Sequence, residues 1–190
     1  MMQEERQNTP ITKADSMNIY LRDDDNKIDD EILILMNNAA KTALVNEFGS
    51  ELSASGIDTS ELPVELSVSI VKNDEIKELN AEFRNIDRVT DVLSFPQYDS
   101  NDDLRDELLD YADCIKEGED IVFVPMLGDV VICYEKAAEQ AEEYGTGIRR
   151  ELIYLFVHSI FHLMGYDHMN DDEKKVMRAK EEQVMEAVGL

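Results

Sequence analysis

Residues 158–168 read HSIFHLMGYDH, and every histidine of the chain lies in them: His158, His162 and His168. The first two are four apart, so on a helix both imidazoles leave the same face. Three residues after His162 stands Gly165, the residue type that most readily ends a helix in the left-handed conformation. A reversal there swings His168 back over the face carrying the other two. Three nitrogen donors then converge, and nothing in the motif closes a fourth position. That is the ligand set of a catalytic zinc-type site, with an open place for water or substrate.

The competing reading is structural, since a histidine on an apolar helix is commonly a core residue with a hydrogen bond. Against it stand the spacing H-x3-H-x2-G-x2-H, the apolar character of the helix, and the lack of histidine elsewhere. The spacing matches the tridentate zinc pattern of metzincin peptidases. In those enzymes the residue after the first histidine is a glutamate acting as general base. Here it is Ser159, whose hydroxyl cannot do that work near neutral pH, which counts against proteolysis.

HSIFHLMGYDH is followed by MNDDEKKVMRAKEEQVMEAVGL, and two upstream stretches accompany it: RNIDRVTDVLSFP (Arg84–Pro96) and LGDVVI (Leu127–Ile132). Together they resemble the YbeY family of bacterial endoribonucleases over roughly residues 15–190. The resemblance implies a single-strand-specific, metal-dependent endoribonuclease that matures ribosomal RNA, notably at the small-subunit 3′ end. It also implies a part in ribosome quality control, with ribosomal RNA and the small ribosomal subunit as partners and no DNA substrate. It assigns the metal to His158, His162 and His168, and Arg84 matches the family's functional arginine. The ion is expected to be zinc, although nitrogen ligands suit nickel or another transition metal as well. Two positions depart from the pattern: Ser159 stands where glycine is usual, and Thr146 where histidine is frequent.

Charge runs the other way. The chain has 190 residues and a net charge of −25, whereas nucleic-acid binders usually present a basic face. The acids are unevenly placed: Asp99–Asp120 holds ten acids and two bases, and Asp23–Glu31 six acids and one base. Arg84, Arg88, Arg149, Arg150, Lys174, Lys175, Arg178 and Lys180 flank the motifs instead. A local basic cleft on an acidic body is one reading, and solvated helix faces are the other.

Length favours one domain, 16–190, after a polar N-terminus (residues 1–15) expected to be disordered. No apolar run is long enough to cross a membrane, and the N-terminus lacks the apolar core of a secretory signal. Cys114 and Cys133 form no CxxC or paired framework, so they are expected as reduced thiols in a cytoplasmic protein, with Cys133 in the core.

In order, the patterning predicts a strand at Met17–Leu21, a helix at Ile28–Phe48 stopped by Gly49, and an alternating strand at Val64–Val71. A helix capped by Asn73 and running to Phe83 follows, then a short strand at Val92–Phe95. The acidic stretch about 97–120 reads as a surface insertion without catalytic role, with an amphipathic helix in DLRDELLDYADCI. Strands are expected at Ile121–Val124 and, centrally, Gly128–Tyr134. Helices follow at Glu135–Tyr144, at Ile148–Met164, and from a cap at Asp171 or Asp172 to Val188. On the last of these, Val176, Ala179, Val184 and Ala187 are expected to share one side. The fold class is α+β, one mixed β-sheet packed with helices, and the resemblance implies a zincin-like arrangement.

Several residues keep two readings. Arg84 either holds phosphate oxygens or pairs with Asp87 or Asp91 to fix its loop. Asp129 either bonds backbone or orients a ligand. Glu151 and Asp167 each either accept an imidazole N–H or pair with neighbouring charge. At the level of function, a peptide or ester hydrolase and a non-catalytic ribosome assembly factor with a structural metal stand as alternatives.

Overall fold

The computed structural model describes residues 17–56, 64–117, 124–167 and 170–190. The strands are β1 (Asn18–Asp23), β2 (Glu65–Val71), β3 (Val92–Pro96) and β4 (Met126–Cys133). The helices are α1 (Asp30–Ala54), α2 (Asn73–Arg84), α3 (Asn101–Glu117), α4 (Tyr134–Tyr144), α5 (Ile148–Leu163) and α6 (Asp171–Ala187). The strands form one sheet ordered β1-β2-β4-β3. β1, β2 and β4 run parallel, and β3 runs antiparallel to β4 at the edge. The fold is therefore α+β with a single mixed sheet, as expected.

Alternation divides the sheet into two faces. Leu66, Val68 and Ile70 of β2, with Val130 and Ile132 of β4, turn toward the large core built on α1, α3, α5 and α6. Val71, Leu93, Val131 and Cys133 turn the other way and meet Ile76 of α2 in a smaller cluster. Neither cysteine forms a disulfide among the described residues, and Cys133 is buried. The alternation of β4 breaks near Gly128, where the pairing with β2 shifts register. A Cβ on Gly128 would stand 2.1 Å from the Phe95 carbonyl oxygen, so only glycine lets β4 close against β3 there. The shift turns Asp129 outward to solvent.

α5 is the spine of the molecule and packs against α1, α4, α6, β3 and β4. Its sequence is apolar nearly all round because nearly all of it is covered. Leu152, Ile153, Phe156, Val157, Ile160 and Leu163 are fully buried, each contributing about 1.5–3 kcal/mol of transfer free energy. Beyond its charged first turn, the helix leaves only Tyr154, His158 and His162 partly open, one seam at i, i+4 and i+8.

Several boundaries differ from the sequence reading. α1 does not stop at Gly49: that residue is buried within the helix, and Leu52 carries the core face one turn further. Interior packing outweighs the low helix propensity of a single glycine. The cap of α2 is Lys72, not Asn73, and makes no side-chain capping bond. That of α6 is Asn170, whose side chain accepts from the backbone N–H of Asp172 and Glu173. The buried side of α6 is Met177, Glu181, Val184 and Met185, while Val176 is 52% exposed and Ala179 and Ala187 also face water. α3 extends the helix expected in DLRDELLDYADCI, but it is more than a surface feature, since Leu104 and Leu108 are fully buried in the main core. The expected disorder of residues 1–15 and most of the expected strand Ile121–Val124 lie outside the described residues. Among the described residues no helix is long and apolar enough to cross a membrane.

Candidate functional site

The structure brings His158 and His162 together. Their Nε2 atoms stand 3.1 Å apart, with the rings nearly perpendicular. Each Nδ1 is committed elsewhere. His158 Nδ1 lies 2.7 Å from the Glu181 carboxylate, and His162 Nδ1 2.9 Å from the Tyr166 carbonyl oxygen. Carboxylate and carbonyl only accept, so each Nδ1–H donates, and the lone pair of each neutral ring sits on Nε2. Two lone pairs 3.1 Å apart can be donated to one positive centre. Two nitrogens bound to one zinc at about 2.0–2.1 Å lie roughly 2.9–3.4 Å apart, depending on coordination angle. The pair therefore fits a metal ion. His168 lies outside the described residues.

The turn that the sequence placed at Gly165 is present, with φ at +85°. A Cβ there would approach the Asn101 backbone nitrogen to 2.7 Å, so the turn is wedged against the start of α3. Asn101 Nδ2 donates to the Met164 carbonyl at 3.1 Å. The acidic stretch thus buttresses the turn that aims His162.

Behind the histidines lies a network absent from the sequence reading. Glu181 is only 3% exposed and also accepts from the Tyr154 hydroxyl at 3.3 Å. Burial, reinforced by the Glu181 charge and hydrogen bond, pushes the Tyr154 hydroxyl up to about 12, so it remains a donor at neutral pH. Next to Glu181 in α6, Lys180 pairs with Glu47 of α1 at 2.7 Å. The Tyr166 hydroxyl donates to the same carboxylate at 2.6 Å, and the Lys180 ammonium lies 5.2 Å from the centre of the Tyr166 ring. Burial opposes the Lys180 charge, but Glu47 and Tyr166 outweigh it and leave its pKa raised. Burial, followed by the bond to Glu47, raises the Tyr166 hydroxyl. One carboxylate on α1 thereby ties α6, which aims His158, to the turn that aims His162. A signal for Glu181 existed: it interrupts the apolar stripe Met177, Val184, Met185 at helical spacing, and a carboxylate in such a stripe requires a partner.

Beside His158 is a recess of about 160 Å³, lined by Tyr154, His158, Lys174, Met177, Arg178 and Glu181. Glu151, 4% exposed, takes the Thr146 hydroxyl at 3.3 Å and not an imidazole N–H. Burial raises its pKa. Arg149 pairs with Glu31 instead. Ser159 is buried in the core, and its hydroxyl finds no partner among the described residues. Asp167 is exposed on the turn.

Arg84 closes α2 and is exposed. The loop-fixing pairs expected of it are made by others. Asp87 bridges to Lys77 at 3.3 Å. Asp91 accepts from the Val92 backbone N–H and from Gln140, each at 2.8 Å. Arg84 makes no ion pair among the described residues.

The family model described as Endoribonuclease YbeY matches residues 18–189. A relative named Endoribonuclease YbeY from Caldanaerobacter subterraneus subsp. tengcongensis is 50% identical over 127 residues, covering 67% of this chain and 75% of its own. One of the same name from Finegoldia magna is 36% identical over 169 residues, covering 89% and 91%. The solution structure of a Thermotoga maritima protein is similar at TM-score 0.53 and 27% identity, covering 90% of this chain and 88% of that one.

Proposed function

The chain belongs to the YbeY endoribonuclease family, and from that premise we propose that it is a metal-dependent endoribonuclease specific for single strands. Its place is in ribosomal RNA maturation, notably at the small-subunit 3′ end, and in ribosome quality control, in the cytoplasm. The observation that carries the reading is the pair of Nε2 atoms 3.1 Å apart with both Nδ1 atoms committed as donors. His158, His162 and His168 would hold the ion, zinc or another transition metal. When bound, it would supply Lewis acidity and a more acidic water.

The protein's own groups account for the remainder. Glu181 and the Tyr166 carbonyl fix both tautomers, so the donor atoms need no rearrangement as the site fills. The Tyr154 hydroxyl holds the second oxygen of Glu181, keeping that carboxylate aimed at His158. Arg84, without a carboxylate partner among the described residues, is free to hold two phosphate oxygens and offset charge that grows on phosphorus. The peptidase alternative loses ground because Ser159, in the position of the peptidase's base, faces the core.

The test is metal analysis of purified protein followed by cleavage of a single-stranded RNA by the wild type, His162→Ala and Arg84→Ala. Metal-dependent cleavage lost in both variants supports the reading. Undiminished cleavage in both overturns it, and bound metal without any cleavage by the wild type favours an assembly role.

A further inference from the structure

At the end of α2 the chain exposes apolar surface that the fold does not use. Phe83 is 58% exposed and Ile86 39%. Phe83 rests edge-on against Phe95 of β3, ring centres 5.1 Å apart and planes at 67°. Phe95 is itself only partly buried, packed on the smaller cluster beneath. The loop is firmly built: Asn80 Nδ2 donates to the Arg88 carbonyl at 2.8 Å, and the Ile86 N–H to the Asn80 carbonyl at 3.2 Å. Arg84 and Arg88 follow Phe83 by one and five residues, at the end of α2 and in the loop after it, and both are exposed.

Charge gives this patch two of the few basic side chains (Arg150 and Lys174 are among the others) that are exposed and in no ion pair among the described residues. Most described lysines and arginines, Lys77 and Arg149 among them, lie in ion pairs with carboxylates. Arg84 and Arg88 have none among the described residues, in a chain of net charge −25. Two guanidiniums without an ion pair, within five residues of an exposed aromatic ring, match a polyanion that also carries flat apolar faces. β3 is an edge strand, with α5 packed against it and Val92 turned into the core that α5 shares.

We propose that Phe83, braced by Phe95 and followed in the chain by Arg84 and Arg88, is a stacking platform for one unpaired nucleotide of single-stranded RNA. The proposal rests on the endoribonuclease reading and deepens it. A base can lie on Phe83 only if it is unstacked from its own strand, so the platform favours single strands over duplexes. Arg88 holds an adjacent phosphate and leaves Arg84 for the reacting one.

The test is steady-state cleavage of a single-stranded 12-nucleotide RNA by the full chain, with metal content measured in each variant. Phe83→Ala should raise KM about 5- to 100-fold, leaving kcat within about twofold and metal content unchanged, the pattern of lost uniform binding. Phe83→Leu, which keeps apolar packing on Phe95 without an aromatic face, should behave likewise, and Phe83→Trp should restore KM. Arg88→Ala should raise KM and flatten the log–log salt dependence by about 0.7, the value for one phosphate on a single strand. A KM within twofold of wild type in Phe83→Ala, or wild-type behaviour of Phe83→Leu, overturns the platform. So does a fall in kcat without a rise in KM, which would make Phe83 a support for Arg84. Normal KM on naked RNA with activity lost only on ribosomal particles overturns it in favour of a protein-docking face. A wild type that neither binds nor cleaves the RNA removes the endoribonuclease premise itself.

Discussion

Gly165→Ala tests the turn on which the site depends. The native φ of +85° lies in the left-handed region, where a Cβ costs about 1–2 kcal/mol. The new methyl would also stand 2.7 Å from the Asn101 backbone nitrogen and 3.1 Å from the Ser100 carbonyl carbon. No flexible side-chain end is available to give way, because both atoms belong to the backbone entering α3. Relief requires about 0.5 Å of backbone displacement, and forced overpacking of this kind costs about 1–3 kcal/mol. The sum is a destabilisation of about 2–5 kcal/mol, read as a lower urea midpoint at unchanged slope. In a chain of this size it lowers Tm by about 5–15 °C. Gly165→Asn separates the two contributions, because asparagine tolerates the left-handed region while retaining the Cβ. It should recover only the backbone part of the loss, about 1–2 kcal/mol. A loss below about 1 kcal/mol for alanine, or wild-type stability for asparagine, would refute the wedge. The same displacement carries the Tyr166 carbonyl off His162, now 2.9 Å away, so metal affinity should fall together with stability.

Glu181→Ala leaves His158 Nδ1–H without its acceptor and should weaken cobalt or zinc binding about 10- to 100-fold. Glu181→Gln, still an acceptor, should lose less, and an alanine variant titrating like wild type would remove Glu181 from the site. Ser159→Ala deletes a buried hydroxyl without a partner among the described residues and should raise unfolding free energy by about 1 kcal/mol. A destabilised alanine variant in urea titration would mean that the hydroxyl is satisfied. Glu151 gives a pH signature. Burial raises its folded-state pKa above the ordinary 4.5, so the neutral form is favoured in the folded chain. Its contribution is intact below about pH 4.5 and is lost as pH rises through the raised value. The stability of Glu151→Gln relative to wild type should therefore grow between pH 4 and pH 7, and a pH-independent difference would contradict the assignment.

Legibility in the sequence followed the range of the interactions involved. The His158–His162 pair, the Gly165 turn and the apolar spine of α5 depend on residues at most a few turns apart, so periodicity and spacing reveal them. The buried face of α6 was misread because it is defined by Glu181, whose burial makes sense only opposite His158. Gly49 looked like a helix stop, yet it is buried within a helix that packs on α3, α5 and α6. The acidic stretch looked like decoration by composition, whereas Leu104, Leu108 and Asn101 tie α3 to the core and to the turn.

What the sequence determined alone is what helical geometry enforces: two imidazoles four residues apart face the same way, and a glycine lets the chain reverse after them. Only the tertiary structure decided which groups hold those imidazoles. Glu181 lies 23 residues from His158, and Glu47 lies 119 from Tyr166. Such partners are selected by how helices pack across a shared core, and a linear pattern carries no record of which distant side chain arrives at 2.7 Å.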